Sequence, residues 1–211
     1  MPRPFADRAA AGRALGEQLA AAGLERPLLV GLARGGVPVA VAAAAVMGAG
    51  TEVDVGVARK ITAPGRPEAG LGAVAADGEP VWFEQALRHA GLTPEALAGV
   101  VAAERDEAAR REEAYGAGWR ARAPGREVVL VDDGIATGMT VRAALRAIAA
   151  TGPARLLLGV PVASPPSLER LRDRADQVVA VLVPEDFRAV GDVYDDFAQL
   201  TDDDVRRVLG R

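Results

Sequence analysis

At 211 residues and 21.7 kDa, with half its residues hydrophobic and about a quarter charged, the chain has the makeup of one folded globular domain rather than a disordered segment. A net charge of −4 and a pI near 5.2 argue against a general nucleic-acid or anionic-membrane surface, since neither polyanion is attracted by an acidic field. No cysteine is present and His89 is the only histidine, which excludes disulfides, thiolate metal sites and histidine clusters. No apolar run reaches the roughly 18–20 residues that span a bilayer, and no secretory signal is evident, so the expected compartment is the cytoplasm.

Taken in chain order, the segment from Phe5 to Gly23 carries Leu15, Leu19 and many alanines at helical spacing and reads as a helix. "RPLLVGL" is a short apolar run suited to a strand buried on both faces. "ARGG" follows, and then an apolar helix from Val37 to about Met47. "EVDVGVARK" reads as a second strand. It empties into "ITAPGRPEAGLG", whose prolines and glycines predict a loop over Ile61 to Gly72. "GAVAADGEPVWFE" predicts two short β segments joined by "ADGE", and a charged helix is expected from Thr93 to about Trp119, capped at Thr93 with Pro94 at its first position.

After "APGRE" the chain enters "VVLVDDGIATGMT", then a helix from about Met139 to Ala150 that ends at Gly152 and Pro153. The strand "RLLLGVPVA", the short helix "PSLERLRDR" and the strand "QVVAVLVP" complete the series. Apolar strands alternating with helices predict an α/β fold, a parallel twisted sheet with helices on both faces. We expect one domain over 1–211, with a hood or helical insertion at about 76–125 and a C-terminal segment at about 184–211.

In an open parallel sheet, ligands bind outside the carboxyl ends of the strands. Three such ends carry unusual chemistry: "ARGG", "ARK" and "DDGIATGMT". Two adjacent carboxylates, Asp132 and Asp133, can accept from sugar hydroxyls or share a hydrated Mg²⁺ with a phosphate. The following turn supplies consecutive backbone N–H groups, small side chains and the hydroxyls of Thr137 and Thr140 where a helix begins, an arrangement suited to an anion. An ATPase P-loop would need lysine directly after the last glycine, but Met139 follows Gly138, and no G-x-G-x-x-G fingerprint occurs there.

"VVLVDDGIATGMT" resembles the phosphoribosyl pyrophosphate (PRPP) motif of type I phosphoribosyltransferases. In layout the resemblance runs from about Leu28 to Leu182, and it extends to uncharacterised bacterial proteins of that kind sharing "RGG", "RK" before a Pro-Gly loop, and "VDDG". It implies transfer of 5-phosphoribose from PRPP to a nitrogenous base, with Mg²⁺ as cofactor and pyrophosphate as leaving group. Asp132 and Asp133 would hold the ribose hydroxyls, with the metal nearby. Gly134, Ile135, Ala136, Thr137, Gly138, Met139 and Thr140 would form the loop around the 5-phosphate. Arg34, Gly35, Gly36, Arg59 and Lys60 would meet the pyrophosphate, under a flap at Ile61 to Gly72. A homodimer is common in the family.

Lys60 is the only lysine among 25 basic residues, so a compact, mobile charge at that position invites a reason. Gly134 stands where the family usually has an aliphatic residue. Ala136 stands where hypoxanthine-guanine enzymes carry an aspartate general base, which argues against a 6-oxopurine acceptor. In "VPEDFRAVGDVYDDFAQL", Phe187 is a candidate to stack on a base, and Tyr194, Asp195 or Asp196 to reach a base edge or a second Mg²⁺; Asp195 is the named metal candidate. Core packing of Phe187 and Phe197 is the competing reading. The main alternative function is a non-catalytic sensor of PRPP or a nucleotide on the same fold, and another is an enzyme of a different phosphorylated sugar.

Overall fold

The structure, a computed structural model, describes residues 3–211. Its centre is a five-stranded parallel sheet built from β1 (Leu28–Leu32), β2 (Glu52–Gly56), β6 (Glu127–Val131), β7 (Arg155–Val162) and β8 (Gln177–Leu182), in the order β2-β1-β6-β7-β8. Alternation along each strand divides the core in two. Leu28, Val30, Leu130 and Leu158 face α6 (Met139–Ala149), whereas Leu29, Val129, Val131 and Leu157 face α1 (Arg8–Ala20) and α2 (Gly36–Met47). Burial on both faces explains why these strands read as unbroken apolar runs.

The expected second strand is two strands. Glu52–Gly56 lies in the parallel sheet, but the chain leaves it at Val57, whose N–H donates to Oε1 of the buried Glu112 at 2.9 Å instead of to a neighbouring strand. β3 (Ala58–Ala63) then joins β4 (Arg66–Ala75) and β5 (Val81–Trp82) in a separate antiparallel sheet. The segment read as a loop from Ile61 to Gly72 is therefore the body of a β-hairpin. Pro64 and Gly65 occupy the two central turn positions, with Gly65 at φ +72°, as a type II turn requires, and register shifts after Ile61 and Thr62 absorb the irregular sequence.

Ile61, Leu71, Val74, Leu87, Leu97 and Val101 form a second small core between this sheet, α3 (Glu84–Ala90) and α4 (Ala98–Ala114). Thr93 does cap the entry to this helix, accepting from Ala96 N at 3.3 Å, but the helix begins as a 3₁₀ turn and stops at Ala114 rather than near Trp119. Gly116, at φ +64°, turns the chain into the short α5 (Trp119–Arg122). After β7, α7 (Pro165–Leu171) leads to β8, and the last helix is α8 (Asp202–Leu209), closed by a reciprocal Thr201–Asp204 capping box. Among the described residues, no helix is long and apolar enough to cross a membrane.

Candidate phosphosugar site

Strand order fixes where the site lies. From β1 the chain moves outward to β2, whereas β6 sits on the other flank of β1 and the order then runs on to β7 and β8. The reversal leaves a crevice at the carboxyl ends of β1 and β6, the topological switch point of an open α/β sheet. Those two ends carry "ARGG" and "DDGIATGMT".

The two segments are packed tightly enough to exclude side chains between them. A Cβ on Gly35 would lie 1.9 Å from Asp133 Oδ2, and one on Gly36 would lie 2.3 Å from the carbonyl oxygen of Val131. Glycine at both positions thus permits the contact between loops. The Ala33–Arg34 peptide is cis, and Ala33 N donates to Gly56 O at 2.9 Å, which ties this loop to the end of β2.

Asp132 and Asp133 are half-buried side by side. Burial raises both carboxyls above their ordinary range; the charge of Asp133 adds to the rise at Asp132, while Arg8 partly offsets it at Asp133. Asp132 Oδ1 accepts from Asp133 N at 2.9 Å. Asp133 Oδ2 accepts from Arg8 Nε at 2.8 Å, and the Asp133 carbonyl accepts from the Tyr194 hydroxyl at 2.6 Å. Two carboxylates facing one guanidinium leave a negative charge and hard oxygen donors, a set that fits Mg²⁺ shared with a substrate phosphate. Among the described residues, no group of three or more His, Cys, Asp or Glu side chains forms a metal cage, so the ligand would have to complete the coordination.

The turn after the acid pair is anchored from behind. Ile135 N donates to Val162 O at 2.9 Å, and the Ala136 carbonyl accepts from both Ser164 Oγ at 3.0 Å and Ser167 Oγ at 2.6 Å. Gly138, at φ +75°, caps α6, and Ile135 and Met139 are buried under the turn while Ala136 and Thr137 are exposed. Backbone amides at the start of an eleven-residue helix, with Thr137 and Thr140 beside them, form a cradle suited to an anion. Trp82, Phe83, Arg142 and Arg170 line a cleft of about 200 Å³ along its edge.

The remaining candidates are distributed less compactly. Arg34 points toward Asp202 of α8, Nη1 to Oδ1 at 3.8 Å. Arg59 is paired with Glu104 on α4 at 2.7 Å, and Lys60 is exposed on β3, so both belong to the antiparallel sheet just past the end of β2. Phe187 packs partly buried against the cluster of Phe5, Val162, Val193 and Tyr194. Asp195 is exposed, and its N–H donates to Phe5 O at 2.8 Å. Tyr194 is fully buried with its hydroxyl on Asp133 O, so it supports the acid pair from beneath and does not reach a base edge. Arg8, Arg142 and Arg170 lie at the site although no sequence motif contains them, and of the three Arg8 bonds the acid pair directly.

A larger cleft of about 720 Å³, lined by Glu25, Arg26, Glu52, Arg126 and Glu127, lies at the amino ends of the strands. Within it Arg126 pairs with Glu52 at 2.9 Å, and Glu127 accepts from the backbone Glu25 N. The carboxyl-end crevice remains the candidate site.

The sequence matches the Phosphoribosyl transferase domain family over residues 81–198, a span that includes the acid pair and the cradle but not "ARGG". Two Mycobacterium tuberculosis proteins, each named "Putative phosphoribosyl transferase", are 39% identical over 209 residues, covering 98% of this chain and 46% of theirs. The chain thus spans about half the length of the curated relatives it matches. The crystal structure of TT1426 from Thermus thermophilus superposes with a TM-score of 0.78 at 46% identity, covering 99% of this chain and 98% of that one. A Neisseria gonorrhoeae protein solved with bound ppGpp shares the fold at 13% identity and a TM-score of 0.51, covering 100% of this chain and 99% of that one. With the family match extending over more than half of its residues and across the acid pair and cradle, the chain belongs to the phosphoribosyl transferase domain family.

Proposed function

We propose that the chain transfers 5-phosphoribose from PRPP to a nitrogenous base and releases pyrophosphate. The observation that carries this reading is the meeting of "ARGG", the acid pair and the phosphate cradle at the switch point between β1 and β6. The amides from Ile135 to Thr140, with the hydroxyls of Thr137 and Thr140, hold the 5-phosphate. Asp132 and Asp133 accept from the ribose hydroxyls. Arg34, with the Gly35 and Gly36 backbone, meets the pyrophosphate, and Lys60 and Arg59 approach it from the hairpin, whose closure would exclude water. Asp132 and Asp133 are the residues that would hold Mg²⁺, which when bound would supply positive charge to offset the charge that builds on the leaving pyrophosphate.

The bond from C1 of the ribose to the pyrophosphate oxygen breaks with its electron pair leaving on pyrophosphate, and a lone pair on the base nitrogen forms the new bond. Any proton on that nitrogen leaves by a route other than residue 136, because alanine offers no base there. Phe187 is the stacking candidate for the acceptor and Asp195 the candidate for a second metal. The test is incubation with PRPP, Mg²⁺ and a panel of bases while pyrophosphate release is followed. Base-dependent release supports the reading. Tight PRPP binding with no turnover on any base favours a sensor, and absence of PRPP binding points to a different phosphorylated sugar.

A further inference from the structure

The acid pair is completed by a cation that no motif contains. Asp7 caps α1, its Oδ1 accepting from Ala10 N at 2.7 Å, and so sets Arg8 as the first helical residue, pointing back at the strand ends. The Arg8 guanidinium is fixed on three sides: Nε to Asp133 Oδ2 at 2.8 Å, Nη1 to the Ala198 carbonyl at 3.0 Å, and its face 3.9 Å from the centroid of the Phe197 ring. Phe197 stacks on Tyr194 at 4.9 Å, and Tyr194 returns to Asp133 through its hydroxyl. The contacts close a ring: Asp133, Arg8, Phe197, Tyr194, Asp133. Backbone bonds from Phe5 N to Val193 O, Asp195 N to Phe5 O and Asp196 N to Ala6 O hold the two chain segments of this ring together.

We propose that Arg8 is a positioning residue for the phosphosugar, an inference that rests on the phosphoribosyl reading above and deepens it. Arg8 holds one oxygen of Asp133, so the carboxylate keeps a single orientation against Gly35 and leaves its second oxygen, with Asp132, to the ribose and metal. It also neutralises one of two adjacent negative charges on the surface that a polyanionic sugar diphosphate must approach, without occupying the cradle. A guanidinium suits this task because its planar fork can bond a carboxylate, bond a carbonyl and lie on a ring at once, which an ammonium cannot.

The test measures PRPP affinity in the presence of Mg²⁺ by calorimetry, steady-state constants, and melting temperature for the full chain and for Arg8→Gln, Arg8→Lys and Phe197→Leu. Arg8→Gln is expected to weaken PRPP binding at least about tenfold and to raise KM for PRPP more than it lowers kcat, with little change in melting temperature. Arg8→Lys should recover part of the loss, and Phe197→Leu should give a smaller one. PRPP binding within about twofold of the unmodified chain in Arg8→Gln, or equal losses in Gln and Lys variants that track melting temperature, overturns the positioning role while leaving the phosphoribosyl reading intact. If Arg8→Gln does not fold, unchanged affinity in both other variants overturns it. No PRPP binding by the unmodified chain overturns both.

Discussion

Val190 occupies the space that a side chain at Gly134 would need: a Cβ built there would lie 2.4 Å from Val190 Cγ1 and 2.8 Å from Val162 Cγ1. The glycine that departs from the family pattern is thus matched by a residue 56 positions later, contributed by the 3₁₀ turn Val190–Val193 after β8. Gly134→Ala is expected to destabilise the fold by about 1–3 kcal/mol through overpacking. Val190→Ala in the same chain removes the closer of the two clashes and should restore part of that loss, giving a coupling that two independent sites would lack. Denaturant titration of the two single variants and the double variant measures it, and simple additivity would refute the steric account.

Asp132 should trade stability for function. Its folded-state pKa is raised by burial and by the Asp133 charge, so the folded protein binds more protons than the unfolded chain between the unfolded value of about 3.9 and the raised value. This contribution to stability is complete below the unfolded value and is lost as pH rises through the folded one. In metal-free buffer at neutral pH, Asp132→Asn, which keeps the acceptor for Asp133 N, is expected to raise stability. The gain should shrink as pH falls toward about 4. Melting temperature against pH in a chelator decides it. The same variant should bind PRPP more weakly, and a gain that persists at low pH would mean the effect is not electrostatic.

The chemistry of the site is legible because it is local in sequence: an apolar strand that ends in Asp132 and Asp133, followed by a small-residue turn, needs no tertiary information to suggest a ligand. Its support is not legible. Arg8 and Asp133 stand 125 residues apart, and nothing in "ADRAA" distinguishes a site arginine from any other in a chain where arginine is the default cation. Tyr194 reads as reaching toward a base because aromatics cluster in its segment; its burial depends on the Phe5 segment covering it. The strand break at Val57 is hidden for a similar reason. "EVDVGVARK" is continuous in β propensity, and only Glu112, brought in on α4, redirects the backbone hydrogen bond.

Asp202 should compete with pyrophosphate for Arg34. The two groups are 3.8 Å apart and each is roughly a third or more exposed, so the pair contributes at most about 1 kcal/mol to stability. Asp202 also accepts from the buried Tyr115 hydroxyl at 2.6 Å, a bond that asparagine can keep. Asp202→Asn is therefore expected to leave stability nearly unchanged and to tighten pyrophosphate binding about two- to fivefold at low ionic strength. The difference should fade in high salt. Equal affinities at low salt, measured by calorimetry, would show that the pair does not restrain Arg34.

Gly35 and Gly36 predict two different failures from adjacent substitutions. An alanine Cβ at Gly36 meets backbone, 2.3 Å from Val131 O and 2.9 Å from Asp132 Cα, so relief requires β6 or the loop to move. At Gly35 the obstacle is the Asp133 carboxylate at 1.9 Å, a side chain able to rotate away once its bond to Arg8 is given up. Gly36→Ala is therefore expected to cost at least about 3 kcal/mol in unfolding free energy, whereas Gly35→Ala should cost about 1–2 kcal/mol yet lose most PRPP affinity because the acid pair is displaced. Denaturant unfolding and PRPP titration of both variants separate the outcomes. If Gly35→Ala binds PRPP normally, then either Asp133 does not need the orientation that Gly35 permits, or the sugar does not bind at this acid pair.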